Sequence, residues 1–286
     1  MANTVVWNKH DYVISLRKRL NHPVNWSEIC NVIYSDIRTI VNAVVSTEPS
    51  AVTGTRGTAY NYEDFALTAD TLTIDTTKIT PIFIDEADRH QQTYFRQMEI
   101  AAFQARKLNE KLESAIMANY GNWTDFGSGD LANTSANDTT QITVSAANID
   151  DLIRALKRKI YAANGVELAT EKGLFVSWRP ADFELLEAFV QANGFSEADV
   201  ALKNGIPVGM RYMGVEHYLS NDHTANHLFG GVKKMQDVGI LRSTYGRAKF
   251  IEDPAKLSGL GIVSRVDYGL QVSVPNKTLI QDINVS

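Results

Sequence analysis

Residues Asp85 to Tyr120, DEADRHQQTYFRQMEIAAFQARKLNEKLESAIMANY, contain no proline or glycine and carry the longest unbroken helical pattern in the chain. Tyr94, Met98, Ala101, Ala105, Leu108, Leu112, Ala115 and Ile116 recur at steps of three and four. Arg96, Glu99, Arg106, Lys107, Glu110, Lys111 and Glu113 fall mostly on the other side. Asp85, Glu86 and Asp88 put carboxylates where unpaired amides and the helix dipole favour them, and Gly121 supplies a stop. A single helix of that length is a rod of about 50 Å. Such a rod suits an elongated body; an ordinary core or coiled-coil helix is the bland alternative, and no strict heptad separates the two.

The flanking sequence must supply what this narrow stripe packs on. With 286 residues, 44% of them hydrophobic and 21% charged, there is material for one large or two ordinary folded domains. A formal charge of −5 argues against a chain whose main task is to hold nucleic acid on a broad basic surface, so any DNA is enclosed without sequence-specific binding. Cys30 has no partner for an internal disulfide and sits in an apolar run, as a buried, inert thiol does. The first twenty residues lack a signal-peptide core and no stretch approaches the ~20 apolar residues of a membrane span, so a cytosolic product with no membrane partner is expected.

Upstream of the rod, residues 1 to about 24 mix Trp7 and Tyr12 with Lys9, Arg17, Lys18 and Arg19 and read as an arm. After Pro23, Asn25 or Ser27 caps an expected helix with Ile29, Val32, Ile33, Ile37, Ile40, Val41 and Val44 on one face. The pattern then breaks at STEPSAVTGTRGTAYNYEDF, a loop tip with Arg56 between Gly54 and Gly57 and with Tyr60, Tyr62 and Phe65 behind. TLTIDTTKITPIFI, residues 71 to 84, is strand, either a hairpin turning at Asp75 to Lys78 or one long returning arm; Pro81 excludes a fully paired central strand. A projecting β arm cannot bury both faces alone and needs a partner surface.

Downstream, NWTDFGSGDLANTSANDTTQ reads as surface loop. A helix capped by Asn148 or Asp150, a buried strand at Leu174 to Ser177 and a helix from Ala181 to Gln191 follow. A hairpin-like LFGGVKK and the alternating runs YGRAKFIED and GLGIVSRVDYGLQVSV complete an α+β half. No phosphate loop, dinucleotide fingerprint, nucleophile elbow or HExxH helix is present, so neither an enzyme nor a cofactor is expected. His217, Asp222, His223 and His227 are the best metal candidates, the basis of a metal-dependent hydrolase as rival reading. Their spacing matches no tight ligand pattern.

The succession of an arm, a β arm returning as TLTIDTTKITPIFIDEADRHQ, a long helix ending ANYGN, VSWRPADFELLEAF, NGIPVGMRYMGVEHYLSN and a closing YGLQVSVP resembles the major capsid proteins of tailed bacteriophages of the Hong Kong 97 type. The resemblance implies an α+β capsid fold. Its parts are an N-terminal arm and helix at 1–45, an extended loop at 46–84, a peripheral domain with spine helix at 85–141, an axial domain at 142–267 and a C-terminal strand at 268–286 returning to the peripheral domain. It implies pentamers and hexamers of an icosahedral shell around phage DNA, a virion protein assembled in the host cytoplasm with a separate scaffolding protein and a portal. Arg56, Tyr60, Tyr62 and Phe65 at the loop tip, and Trp7 and Tyr12 on the arm, become the residues expected to touch neighbouring copies. Some members join a loop lysine covalently to a neighbour's asparagine; the only lysine in residues 46–84 here is Lys78, away from the tip, so non-covalent contacts are expected. An encapsulin-type shell around an enzyme shares the fold and is the other alternative.

Overall fold

The computed structural model describes residues 9–20, 25–47, 53–54, 56–57, 66–85, 94–192, 210–251 and 259–286. Its helices are α1 (Lys9–Leu20), α2 (Asn25–Ile29), α3 (Tyr94–Met117), α4 (Ser128–Ala132), α5 (Ile149–Ala162), α6 (Val166–Lys172) and α7 (Pro180–Ala192). Among the described residues thirteen strands form three sheets. The first has β1 (Asn31–Ser35), β10 (Gln236–Leu241), β12 (Gly259–Val272) and β11 (Arg247–Ile251) in that order, with β4 (Thr76–Asp85) on the opposite edge of β12. In the second the order is β5 (Thr124–Phe126), β13 (Ile280–Asn284), β9 (His227–Val232), β6 (Leu174–Trp178), β8 (Val215–Leu219) and β7 (Met210–Tyr212). The third is a two-stranded ribbon of β2 (Thr39–Thr47) and β3 (Ala66–Thr73).

The described part of the expected rod is α3, and residues 86–93 of its pattern lie outside the described residues. α3 has 24 residues, about 36 Å at the usual rise, and ends in a 3-10 turn at Ala118–Asn122. Asp85 is not at a helix start: it ends β4, paired with Gly259. Glu86 and Asp88 lie outside the described residues. The stripe itself is correct from Ala101 onward, since Ala101, Ala105, Leu108, Leu112 and Ile116 are all buried. That face lies on the five-stranded sheet, where β12 turns Leu260, Ile262, Ser264 and Val266 inward. Residues two apart share a face of a strand, so the whole inner row is set by one register.

A second difference concerns residues 25–45, where one long helix was expected. Only Asn25–Ile29 is helical, and the remainder forms β1 and β2. Val32, Ile33, Ile40, Val41, Val44 and Val45 happen to recur at helical steps, yet β-branched side chains lose χ1 freedom in a helix and pack well on a pleated surface. Tertiary pairing decides it: β1 runs parallel to β10, Asn31 opposite Asp237, with Asn31 Nδ2 donating to Asp237 Oδ1 at 2.7 Å.

Three smaller corrections have the same origin. The polar passage after Gly121 is not all loop: it holds β5 and α4, organised by Asp130, whose carboxylate accepts from the amides of Gly127, Asn137 and Asp138. LFGGVKK is not a hairpin, because β9 and β10 leave it for different sheets. Residues 71–84 form one returning arm, not a hairpin, with β3 paired to β2 and β4 paired to β12. Pro81 sits on β4, which pairs along one edge only.

Sheet membership also cuts across the spans expected from the sequence. β10, β11 and most of β12 fall within 142–267 yet pair with β1 and β4, while β5 and β13, outside that span, belong to the six-stranded sheet. Leu270–Val272 ends β12 beside β10, and the last strand is β13, whose residues are all buried.

Candidate functional site

Among the described residues, the ribbon of β2 and β3 joins neither of the larger sheets. Its strands pair only with each other, Thr39 opposite Thr73 and Val44 opposite Thr68, with a bulge after Val45. Val41 is 62% exposed and Leu67 58%. Exposed β-branched and leucine side chains on a free two-stranded ribbon stabilise nothing by themselves.

Its base, in contrast, is held firmly. Leu72 and Ile74 are buried, and the amide of Ile74 donates to Arg38 O at 2.7 Å. Asp70 accepts from Ser273 Oγ at 2.8 Å and from Gln271 Nε2. Below this base, Gly239 of β10 and Gly269 of β12 face each other across the ladder. A Cβ on Gly269 would lie 2.0 Å from Thr73 O, and one on Gly239 would lie 2.9 Å from Leu72 Cδ2. The two glycines therefore make the seat into which the ribbon's root settles.

The residues expected to grip neighbours are placed unequally. Arg56 is exposed in a turn closed by Gly57, whose φ of 87° is the left-handed region glycine favours. Tyr60, Tyr62, Phe65 and Trp7 lie outside the described residues. Tyr12 is a correction: it is 2% exposed, its hydroxyl donates to Gln104 Oε1 at 2.5 Å, and its ring meets Phe250 edge-on at 5.6 Å. It belongs to the interior of its own chain. The described part of the expected arm, α1, buries Tyr12, Leu16 and Leu20 in the core shared with α3. The i, i+4, i+8 spacing of those three residues was the available signal.

No protein-family model matches the chain, and no curated protein matches it in sequence. Solved structures do match in fold. The capsid of the native GTA particle aligns with a TM-score of 0.65 at 12% identity, covering 91% of this chain and 89% of that one. The mature capsid of bacteriophage PhiM1 aligns at 0.59 and 14% identity, over 93% and 89%. The virus-like particle from Pyrococcus furiosus aligns at 0.61 and 10% identity, over 96% and 98%. The chain has the Hong Kong 97-type capsid fold.

Within this capsid fold the four candidate metal ligands do not converge. His217 Nδ1 accepts from Trp178 Nε1 at 2.9 Å, His223 Nε2 lies 2.9 Å from Ser177 Oγ, and His227 Nδ1 lies 2.8 Å from Asp282. Asp222 takes its own backbone contact, its amide donating to Ser220 Oγ. Among the described residues no three ligand-type side chains gather around one point. The histidines act instead as polar plugs of the six-stranded sheet. Burial lowers the pKa of His217 to about 4 and, with Arg179 adding to it, that of His223 to about 4.

The sign of that linkage is definite. A neutral buried imidazole favours the folded state fully above the unfolded value of 6.5, and this contribution is lost as pH falls towards 4. Burial raises the Asp282 carboxyl, which acts in the opposite sense over part of the same range. In an NMR titration of the folded chain, the His217 and His223 ring resonances are expected to stay at their neutral positions down to about pH 5 and to move near pH 4. A midpoint near 6.5 for either would show that it is open to water.

Proposed function

We propose that the chain is a major capsid protein, self-assembling into the pentamers and hexamers of an icosahedral shell that encloses phage double-stranded DNA. The observation that carries this reading is the capsid fold extending over more than nine-tenths of the chain in neighbours described as capsids. The exposed side chains of the ribbon support it, because copies packed side by side supply the burial that one copy lacks. Its partners are then copies of itself, with a separate scaffolding protein and a portal, and its place is the virion after assembly in the host cytoplasm. In this role the chain performs no reaction: its work is to present complementary surfaces at fixed angles.

Expression of the chain alone and with its phage's scaffolding protein, followed by electron microscopy, tests the proposal. Closed particles of uniform size are the expected result, and soluble monomers under every condition would overturn it. DNA inside particles purified from the native source separates a genome shell from an encapsulin-type shell, which would hold a protein cargo.

A further inference from the structure

The outer face of α5 carries two cations that no carboxylate answers among the described residues. Its inner face, Leu152, Ile153, Leu156 and Ile160, is buried in the core with the six-stranded sheet. Arg154, Lys157, Arg158 and Tyr161 stand at i, i+3, i+4 and i+7, so they share the opposite side, and together they line an open concavity of 430 Å³. Arg154 is neutralised locally, by Asp150 at 2.5 Å and Asp151 at 2.7 Å. Lys157 and Arg158 are held differently. Lys157 Nζ donates to Met213 O at 2.7 Å, in the turn between β7 and β8. Arg158 Nη2 donates to Asp130 O at 2.6 Å and to Leu131 O at 3.4 Å, in α4. Carbonyl oxygens fix where these two cations sit and leave their charge standing. Lys159, next in sequence, is the contrast: its ammonium lies 2.9 Å from Asp130 Oδ1.

A concavity lined by three cations and an exposed tyrosine selects a polyanion by charge complementarity. Arginine, lysine and tyrosine are side chains that donate to phosphate oxygens, and no asparagine or glutamine lines the concavity to read a base edge. Seven helical steps span about 10 Å, a length over which duplex DNA presents about six phosphate charges. An acidic peptide would need its carboxylates at one particular spacing, whereas a duplex offers the same row of charge at every step. We infer that Lys157 and Arg158, with Tyr161 beside them, contact the phosphates of duplex DNA, and that this face of α5 points into the shell. The inference rests on the DNA-enclosing reading above and adds to it a surface and an orientation. Two unanswered charges per copy hold a duplex weakly. Many copies in an array add their holds while each contact lets go readily, which suits DNA that is enclosed without being gripped.

The test is an NMR titration of the purified full-length chain with a short DNA duplex of arbitrary sequence at low salt. Amide resonances of residues 154–161 are expected to move, and binding is expected to weaken as salt rises. Lys157→Gln with Arg158→Gln keeps a donor at each position and removes the charge, so its circular dichroism and melting are expected to match the wild type. Its affinity is expected to fall about tenfold or more and its salt slope by about 2, one for each lost phosphate contact. The charge-conserving pair Lys157→Arg with Arg158→Lys is expected to bind like wild type. Absence of binding by the wild type, a double-glutamine chain that binds as well, or a conserving pair that does not bind overturns the inference. So does a wild-type response centred on the other exposed cations, Arg247 and Lys249. Polyglutamate that binds here more tightly than DNA of equal charge overturns it in favour of an acidic protein segment. Electron microscopy of the same preparations keeps the two readings apart: closed particles with no DNA contact at α5 leave the shell and remove this surface, and contact at α5 without particles under any condition keeps the surface and removes the shell.

Discussion

Replacing residues 42–69, the outer ribbon, with a short turn is expected to leave a folded chain that forms no closed particles at any concentration. The body should survive because, among the described residues, the ribbon pairs only with itself. Its root residues Leu72 and Ile74 are buried over Gly239 and stand outside the contiguous core built by α1, α3 and the two larger sheets. Keeping residues 70–75 preserves the bonds of Asp70 to Ser273 and of the Ile74 amide to Arg38. Replacing a long connection by a short one changes loop-closure entropy by little, so a stability change within about 1 kcal/mol is expected. Assembly should fail for a different reason. Leu67, 58% exposed in the single chain, is removed with the ribbon, and only another surface can bury it. Analytical ultracentrifugation and denaturant melts of the excised chain check both halves. Normal particles from it would show that the ribbon is ornamental, and an unfolded chain would show that it is part of the core.

How much of this was legible in the sequence depended on whether a residue's role was local. α5 and α7 follow from apolar steps of three and four behind a capping or proline residue, and β6 from a short run broken only by Ser177. Capsid architecture was legible from the order of elements, which no single motif carried. What failed was everything decided by a distant partner. Val32 and Ile40 suit helix and strand spacing alike, and pairing with β10 and β3 chose for them. Tyr12 looks like an aromatic on a mobile arm until Gln104, far along the chain, accepts from its hydroxyl. Gly239 and Gly269 are unremarkable glycines until Leu72 and Thr73 arrive above them. β13 lies within the expected C-terminal strand span 268–286, but its place inside the six-stranded sheet was not legible from LIQDIN, whose Gln281 and Asp282 are buried by the strands around them.

Gln104 is where sequence reading gave least and where a substitution should cost most. It interrupts the apolar stripe of α3, is fully buried, and ties three elements together. Its Oε1 accepts from Tyr12 Oη at 2.5 Å and from Ser264 Oγ at 2.6 Å; its Nε2 donates to Thr80 O at 2.9 Å and to Ile262 O at 3.2 Å. Gln104→Leu keeps the volume and raises the helix's apolar content, so an argument from hydrophobicity alone predicts a gain. The expected result is the opposite, a loss of about 4 kcal/mol, because buried hydroxyls and carbonyls left without partners each cost about 1–3 kcal/mol. Adding Ser264→Ala removes one of those orphans, so the double variant is expected to recover about 1 kcal/mol over Gln104→Leu although it has lost more polar groups. Urea denaturation of the unassembled chain measures both. A single variant within about 1 kcal/mol of wild type, or a double variant no more stable than the single, would mean that water reaches this site.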